Sequence, residues 1–330
     1  MPSEGSLDRR SVSVLALSAL LDYGIGDPWG WLHPVQVMGW GIQQYSQLSW
    51  RYLKHPVALR IAGIGLTALT IGLAGGFGWL CIRLGNQVHP WLGIMIEVVM
   101  LASCFAGRSL RRAADDVLQP LVVGDLTSAR SRLSRYVGRD TENLSQPDIL
   151  RAVLETVTEN ATDGVMAPLF YAILGAGLPI GSVPMALAYK GASTLDSMVG
   201  YREVPYRDLG WCSARLEDWL TWLPCRLHIL TLAVISGQAQ AVWRLCRRDA
   251  SQDPSPNSGW SETAYAAVLR VQVGGENSYR GIAKLKPLLG DPIESITAAK
   301  IQQAMELTRR CFLLWLVGAI GVILVSHMPP

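Results

Sequence analysis

The sequence has little charge for its length. Asp, Glu, Lys and Arg make up only 17% of its 330 residues, against about 25% in a typical soluble domain. The formal net charge is +3 and no Lys/Arg run is longer than two residues, which argues against a nucleic-acid partner. A mean hydropathy of +0.24 is too apolar for an ordinary soluble enzyme and too polar for membrane helices alone. It predicts membrane helices joined by substantial water-facing segments.

Common motifs of metal, redox and nucleotide chemistry are also missing. None of the six cysteines forms C-x-x-C, and their scatter predicts reduced core thiols rather than a metal site or a disulfide framework. The chain has no G-x-x-x-x-G-K-[ST] loop, no G-x-G-x-x-G, no H-E-x-x-H and no G-x-S-x-G. Any phosphate or metal chemistry must therefore use another arrangement of side chains.

Long apolar segments are the main feature of the sequence. Spanning helices are predicted near residues 57–82, 91–106 and 312–325. Segments 12–25 and 228–242 are shorter than the ~20 residues that a span needs, and they stay ambiguous.

Residues 165–189 are long enough to span, but their middle is rich in Gly and Pro. Such a stretch favours two half-helices in a re-entrant hairpin. Arginines directly after residues 91–106 and 228–242 predict cytoplasmic ends there. The predicted fold class is all-α: a polytopic integral membrane protein with re-entrant or broken helices and cytoplasmic helical loops, forming a single domain over residues 1–330.

A helix with an acidic face is predicted between residues 148 and 163. Ser145 and Asp148 form a capping-box pattern at its start. Glu155, Glu159 and Asp163 recur four residues apart, and they repel one another, so Mg²⁺, a Lys or Arg, or bulk counterions should lie against them. A solvated helix face is the alternative. The apolar run that follows favours a functional site, because charge at the edge of a membrane segment is costly.

Further polar clusters lie elsewhere in the chain. Residues 189–202 include Lys190 and Arg202, which are predicted to be countercharges for the acidic face. Polar loops are predicted at 249–260 and 274–281. This collection suits a Mg²⁺-phosphate site without a standard loop. It suits a polar pathway inside a transporter equally well, and residue chemistry alone leaves both open.

Taken together, short motifs in order from about residue 20 to 290 resemble the CbiB/CobD-type adenosylcobinamide-phosphate synthases of cobalamin biosynthesis. The motifs are Leu21-Asp22 and Gly26-Asp27-Pro28 with His33-Pro34, Gly124-Asp125-Leu126 with Ala129-Arg130, Val137–Thr141, Glu155–Asn160 with Asp163-Gly164 and Ala167–Phe170, Thr194–Met198 with Gly200-Tyr201-Arg202, Ala214-Arg215 with Asp218, Pro254–Asn257 with Gly259-Trp260, and Gly274-Gly275 with Asn277, Tyr279 and Gly281. Two positions depart from the family pattern. Asp253 stands where the family has His, and Ser193 stands where it often has Asn.

The resemblance implies a multi-pass enzyme of the cell (inner or plasma) membrane with a cytoplasmic active face. Such an enzyme joins adenosylcobyric acid to (R)-1-amino-2-propanol or its O-phosphate through an amide bond, using ATP and Mg²⁺. The implied partners are this corrinoid, the aminopropanol or its phosphate, the lipid bilayer and other cobalamin-assembly enzymes. A polytopic transporter or sensor without catalysis is the alternative.

The matched positions lead to hypothetical roles. Residues predicted to hold Mg²⁺ or the substrate amine are Glu155, Glu159 and Asp163, joined by Asp196. Residues predicted to bind phosphate are Lys190, Arg139 and Arg202, and the polar positioners are Asn160, Ser255 and Asn257. Further predicted substrate-binding residues are Asp140, Ser197 and Asn277. Residues predicted to be structural or to border the site are Asp27, His33, Arg215 and Asp218.

Overall fold

The computed structural model describes residues 4–26 and 34–326. Its elements in chain order are α1 (Glu4–Gly24), α2 (Pro34–Tyr52), α3 (Pro56–Val88), α4 (Pro90–Ala102), α5 (Gly107–Val122), α6 (Leu126–Leu133), α7 (Gln146–Asn160), α8 (Ala167–Ala176), α9 (Ser182–Val199), α10 (Tyr206–Leu209), α11 (Trp211–Ile235), α12 (Ala239–Asp249), α13 (Ser258–Leu269), β1 (Gln272–Tyr279), β2 (Ile282–Gly290) and α14 (Ala298–Val325). The predicted all-α membrane class is confirmed, with one β-hairpin as the only sheet among the described residues.

Three helical segments are long and apolar enough to cross a membrane: Pro56–Val88, Pro90–Val122 and Ala298–Val325. The first contains the predicted span 57–82, and the second runs through α4 and α5. The third is much longer than the predicted span 312–325, because a less apolar stretch of the same helix precedes it.

The two ambiguous segments have different outcomes. Residues 12–25 fall almost entirely within the longer helix α1. Residues 228–242 are divided between the end of α11, a turn and the start of α12. The single-domain prediction and the placement of these segments in a bilayer stay predictions.

The first compact unit comprises Met1–Ala106, Ala167–Thr221 and Leu314–Pro330. Within it α3 packs against α4 and α9, and α9 also packs against α2 and α8. A short turn joins α8 to α9, so residues 165–189 do contain two helices, although a re-entrant path through a membrane stays a prediction. Glu97, the charge inside α4, pairs with Arg10 at 3.0 Å, which offsets the cost of its burial.

The second compact unit comprises Gly107–Met166 and Trp222–Leu313. Helix α7 packs against α5, α13 and β1, and α13 also packs against α12 and β2. The predicted capping box is present: Ser145 and Asp148 exchange side-chain and backbone hydrogen bonds at the start of α7. A π-helical turn, Ala161–Met166, follows α7. Such wide turns are frequent at functional sites.

The polar loop predicted at 274–281 is wrong, because these residues form most of a β-hairpin. β1 and β2 pair antiparallel, and Tyr279 lies opposite Ile282 across a two-residue turn. Both turn residues have positive φ, 52° at Arg280 and 76° at Gly281, as in the tight turns that match strand twist. The register shifts between Val273 and Gly275. This irregularity interrupts the alternating pattern by which a strand is recognised.

Candidate functional site

Glu155 is the acceptor of a buried ion pair on α7. Its side chain is only 2% exposed, and its Oε2 accepts a hydrogen bond from Arg139 Nη2 at 2.5 Å. Its Oε1 accepts a second hydrogen bond from the backbone N–H of Gly274 at 2.8 Å. Arg139 also donates from Nη1 to Asn277 Oδ1 at 2.8 Å. Both carboxylate oxygens of Glu155 are therefore used by the protein itself.

A glycine in β1 makes this contact between helix and hairpin feasible. Gly274 has φ +89°, and a Cβ at this position would lie 1.9 Å from the carbonyl oxygen of Pro287. Only glycine fits there. Arg151 of α7 donates to the Gly274 carbonyl and, at 3.0 Å, to the Glu276 carbonyl. Helix α7 is thus attached to β1 by both an acidic and a basic side chain.

Four acidic side chains and one lysine form what we call the acidic cluster: Glu155, Glu159, Asp253, Glu262 and Lys286. The cluster draws on α7, α13, β2 and the loop before α13. The side chain of Glu262 is 2% exposed and that of Lys286 is 30% exposed, with 3.9 Å between Oε1 and Nζ. Glu159 is half-buried. Glu159, Asp253 and Lys286 are therefore the more exposed members of the cluster, and Glu155 and Glu262 the buried ones.

Burial and mutual repulsion shift the pKa values of this cluster. Burial raises the pKa of Glu159 and raises that of Glu262 more strongly, while Lys286 opposes both shifts and the other carboxylates add to them. Burial alone would lower the pKa of Lys286, but the charges of Glu262, Glu155 and Glu159 raise it instead. The lysine therefore stays charged, and the buried carboxylates hold protons up to a higher pH than usual.

Two buried polar atoms beside these charges have no hydrogen-bond partner. They are Glu262 Oε1 and Asn277 Nδ2. Their residues are only 2% and 3% exposed. An orphaned buried acceptor and an orphaned buried donor are costly, and in native proteins they call for an explanation such as an absent ligand.

The loop before α13 is organised by Asp253. Its Oδ1 accepts from the Ser255 N–H at 2.8 Å and from the Ser258 hydroxyl at 3.2 Å. The Ser255 hydroxyl in turn accepts from the N–H groups of Asn257 and Ser258 at 3.3 Å and 3.2 Å. Asn257 is buried, and its Oδ1 accepts from Arg226 at 2.8 Å. Ser255 and Asn257 therefore hold the start of α13, the helix that carries Glu262.

Asp140 fastens the turn of the hairpin. Its carboxylate accepts from the Ser278 hydroxyl at 2.6 Å and from the N–H groups of Arg280 and Gly281 at 2.8 Å and 2.7 Å. The Asp140 N–H also donates to the Ser278 carbonyl at 2.8 Å. The Ser278 hydroxyl and the two turn N–H groups lower the pKa of Asp140. The neighbouring motif residue Arg139 pairs with Glu155 and donates to Asn277, so the two residues bind adjacent residues near the end of β1.

The predicted site residues are divided between the two units. Those of the second unit are Arg139, Asp140, Glu155, Glu159, Asn160, Asp163, Ser255, Asn257 and Asn277. Those of the first unit are Lys190, Asp196, Ser197, Arg202, Arg215 and Asp218. Asp27 and His33 lie outside the described residues.

Several of these side chains have local roles. Asn160 donates to the Thr156 carbonyl of its own helix at 2.9 Å, and Ser197 donates to the Ser193 carbonyl at 2.9 Å. In the first unit Arg215 and Arg202 lower the pKa of Asp218, against a larger rise from burial. These three residues thus form a separate charged group.

One expectation about the acidic face needs correction, and its cations need an addition. The solvated-face alternative is wrong for Glu155, which is buried. Arg139 and Lys286 are the cations that the structure places with Glu155, Glu159 and Glu262, and neither was predicted as a partner of the acidic face. Lys190 and Arg202 belong to the first unit, and their pairing with the acidic face stays a prediction. Both cations come close to the acidic face only through tertiary packing, because Arg139 precedes α7 and Lys286 lies on β2. Helical periodicity does not indicate such contacts.

The magnesium site predicted on Glu155, Glu159 and Asp163 does not fit this geometry. Within residues 4–26 and 34–326, no group of three or more His, Cys, Asp or Glu side chains is arranged to hold a metal ion. Each oxygen of Glu155 already accepts a hydrogen bond, from Arg139 or from the Gly274 N–H, and Lys286 supplies positive charge to Glu159.

Glu262 and Lys286 were not among the predicted site residues. Glu262 had a detectable signal, since it is the only charged residue in the otherwise apolar or small helix Ser258–Leu269, and a lone charge in such a helix is costly to bury. Lys286 had none. It lies in a strand whose existence was not predicted.

The chain matches the family model described as CobD/Cbib protein over residues 15–308. It belongs to the CobD/CbiB family. "Cobalamin biosynthesis protein CobD" of Synechocystis sp. is 52% identical over 315 residues, which cover 95% of this chain and 92% of the relative. "Cobalamin biosynthesis protein CbiB" of Salmonella arizonae is 42% identical over 292 residues, which cover 87% and 90%. No solved structure matches the chain.

Membership in the CobD/CbiB family confirms the resemblance. The acidic cluster, with Glu155 and Glu262, falls inside the matched residues 15–308. The relatives' names connect the family with cobalamin biosynthesis.

Proposed function

We propose that the chain catalyses the ATP-dependent amide ligation of (R)-1-amino-2-propanol or its O-phosphate to adenosylcobyric acid. The observation that carries the proposal is the buried acidic cluster in a chain of the CobD/CbiB family, with an orphaned acceptor on Glu262 and an orphaned donor on Asn277. Such a cluster with displaced pKa values is a candidate for acid–base chemistry. It suits a reaction in which an ammonium group must lose a proton.

The chemistry needs an activation step, because a carboxylate and an ammonium do not condense unaided in water. A propionate oxygen of the corrinoid attacks the γ-phosphorus of ATP, which forms an acyl phosphate and releases ADP. The free amine then attacks the acyl carbon, and hydrogen phosphate leaves with one of the amine protons. The other proton, which made the amine an ammonium, must be taken up beforehand by a base.

The residues on hand suggest a division of roles. Lys190 and Arg202 remain the proposed phosphate ligands, since both are cationic and Arg202 belongs to a family motif. Arg139 changes role, because its guanidinium is engaged by Glu155 and Asn277. It becomes a positioning residue for the acidic cluster. Mg²⁺ is proposed to arrive as the MgATP substrate complex, and no step is assigned to a resident metal ion.

The cellular setting is also part of the proposal. The chain is proposed to lie in the cell membrane with its active face in the cytoplasm, where ATP is available. The corrinoid and the aminopropanol or its phosphate are its proposed substrates. Other cobalamin-assembly enzymes are proposed as partners, because they must supply the corrinoid and consume the product.

The deciding experiment is a product assay on detergent-purified protein. It contains adenosylcobyric acid, aminopropanol phosphate, ATP and Mg²⁺, and each component is omitted in turn. Amide product that requires ATP and Mg²⁺ supports the ligase. Corrinoid binding without product would instead favour a transporter or sensor. If the protein gives no product and does not bind the corrinoid, the proposal is overturned.

A further inference from the structure

Charge in the second unit is unbalanced around Glu262. Four carboxylates, those of Glu155, Glu159, Glu262 and Asp253, interact with two cations, Arg139 and Lys286. Arg139 and Glu155 neutralise each other through a direct hydrogen bond. Lys286 therefore faces the other three carboxylates, of which Glu262 is buried and Glu159 and Asp253 are half-buried. Such an excess is relieved either by protonation, which the raised pKa values of Glu159 and Glu262 reflect, or by a bound cation.

The geometry around Glu262 leaves a place for a second cation. Lys286 Nζ is 3.9 Å from Glu262 Oε1, which is beyond hydrogen-bond distance. That oxygen is buried and has no hydrogen-bond donor. A ligand ammonium would supply the missing donor and one of the missing positive charges.

The hairpin supplies a complementary donor. Gly275 lies opposite Lys286, and Asn277 lies opposite Lys284, so Asn277 and Lys286 are diagonal neighbours on one face of the hairpin. The Asn277 amide uses its oxygen for Arg139, while its Nδ2 is buried without an acceptor. A ligand that carries an ammonium group and, a few bonds away, a hydroxyl or phosphate oxygen would satisfy both orphaned atoms.

We infer that Glu159 and Glu262 bind the primary ammonium group of the amino alcohol, and that Glu262 accepts its proton before the nitrogen attacks the activated carboxyl. This inference rests on the proposed ligase function. Glu159 is half-buried and forms the approach, whereas Glu262 is 2% exposed and lies at the inner end. Asn277 Nδ2 binds the hydroxyl or phosphate oxygen of the same molecule.

The proton balance is complete without a further reactant. The Glu262 carboxylate takes one proton from the ammonium and becomes a carboxylic acid, which leaves a neutral amine with a free lone pair. The amine forms the C–N bond, the acyl C–O bond breaks, and the second proton departs with hydrogen phosphate. Glu262 then returns its proton to solvent past Glu159. Burial raises its pKa, which suits a general base, and Lys286 favours its ionised form.

The test separates the two halves of the reaction in the intact, detergent-purified protein. The variant is Glu262→Gln, and the matched control is Glu276→Gln, whose carboxylate is exposed on β1. Each protein receives adenosylcobyric acid, Mg²⁺ and ATP with either aminopropanol phosphate or hydroxylamine. Hydroxylamine is uncharged at neutral pH and traps an acyl phosphate as a hydroxamate without needing a base.

We expect Glu262→Gln to lose amide formation by about 100-fold or more and to keep hydroxamate formation, while Glu276→Gln keeps both. The amide activity of Glu262→Gln should also rise with pH about tenfold per unit below the pKa of the amine, as the free amine becomes available without a base. A merely structural residue would not produce this pH-dependent recovery.

Other results are equally decisive. Normal amide formation by Glu262→Gln would overturn the inference. Loss of both products by Glu262→Gln, with a normal unfolding temperature, would also overturn it, because Glu262 would then act in activation. If the wild-type protein itself forms neither amide nor hydroxamate, the proposed function fails, and the inference fails with it.

Discussion

Arg139 Nη2 lies 2.5 Å from Glu155 Oε2, and the side chains are only 7% and 2% exposed. The two residues are far enough apart in sequence that no helical periodicity relates them: Arg139 precedes α7, whereas Glu155 lies within it. The pair also reaches the hairpin through Asn277 and Gly274. It therefore joins three parts of the second unit and supports the acidic cluster from one side.

Breaking this pair should destabilise the fold. Glu155→Gln leaves the Arg139 guanidinium buried without its countercharge, and we expect a loss of about 3–5 kcal/mol in the free energy of unfolding. Thermal and denaturant unfolding in detergent measure this loss of stability. The matched control is Arg270→Gln, which removes an exposed 3.6 Å pair with Glu294 and should cost less than about 1 kcal/mol. Equal effects of the two variants would contradict the structural importance of the buried pair.

Lys286 should control how stability depends on pH. The pKa values of Glu159 and Glu262 are raised above their ordinary value of 4.5, so above that pH the folded state binds more protons than the unfolded state. The free energy of unfolding therefore falls as pH rises from this value through the raised pKa values. Lys286→Met removes the cation that opposes these shifts, so the fall should become steeper.

The measurement for Lys286→Met is the unfolding temperature in detergent between about pH 5 and about pH 8. The variant should approach the wild type at the acid end and lie increasingly below it towards the alkaline end. Lys284→Met is the matched control, since Lys284 is exposed on the same strand. It should keep the wild-type slope. A constant offset for Lys286→Met would show that packing, and not charge, accounts for its effect.

Asp140→Asn should loosen the hairpin turn. The lowered pKa of Asp140 means that its stabilising hydrogen bonds are present above the ordinary value of 3.8 and are lost as pH falls towards the lowered value. The amide weakens the bonds to Arg280 and Gly281 at neutral pH. Limited proteolysis or hydrogen exchange of residues 278–281 should increase. Glu276→Gln, on strand β1, serves as the control and should leave protection unchanged. Unchanged protection in Asp140→Asn would show that the backbone alone holds the turn.

A buried chain of side-chain hydrogen bonds should contribute strongly to stability. Thr162 Oγ1 lies 2.9 Å from His228 Nδ1, and Tyr265 OH lies 3.2 Å from His228 Nε2 and 2.5 Å from Thr308 Oγ1. Tyr265→Phe leaves His228 Nε2 without this partner, while Thr308 still donates to the Ala304 carbonyl at 2.9 Å, and it should cost about 1–3 kcal/mol. Tyr279→Phe, whose residue is half-buried, should cost less than about 0.5 kcal/mol. Chemical denaturation measures the free energy of unfolding of both variants. If Tyr265→Phe is as stable as Tyr279→Phe, water replaces the lost Tyr265 hydroxyl.

Glu159→Ala should abolish product formation while the protein level in membranes stays unchanged. Glu159 is half-buried, and its removal lowers the repulsion among the carboxylates, so folding should survive. The checks are amide product in the purified assay and immunoblotting of membranes. Loss of the protein itself would instead make Glu159 a folding residue.

Local sequence features predicted much of the fold. The capping box of Ser145 and Asp148 and the periodicity of α7 depend on residues within a few positions of one another, so the helix was predictable. The same holds for the apolar run within α3 and for the interrupted stretch between α8 and α9. The hairpin was missed because Gly274 and Gly275, with φ of 89° and 92°, mask its alternation.

The chain's sequence by itself determined its membrane character, its family and the acidic face of α7, because composition, motifs and helical spacing are properties of contiguous residues. Only the tertiary structure decided what surrounds that face. Arg139, Glu262 and Lys286 come from a loop, another helix and an unpredicted strand, and sequence spacing contains no information on such contacts. Burial then changed the meaning of the carboxylates: Glu155 became half of an ion pair, while Glu159 and Glu262 acquired raised pKa values. Desolvation acts only after distant segments pack together.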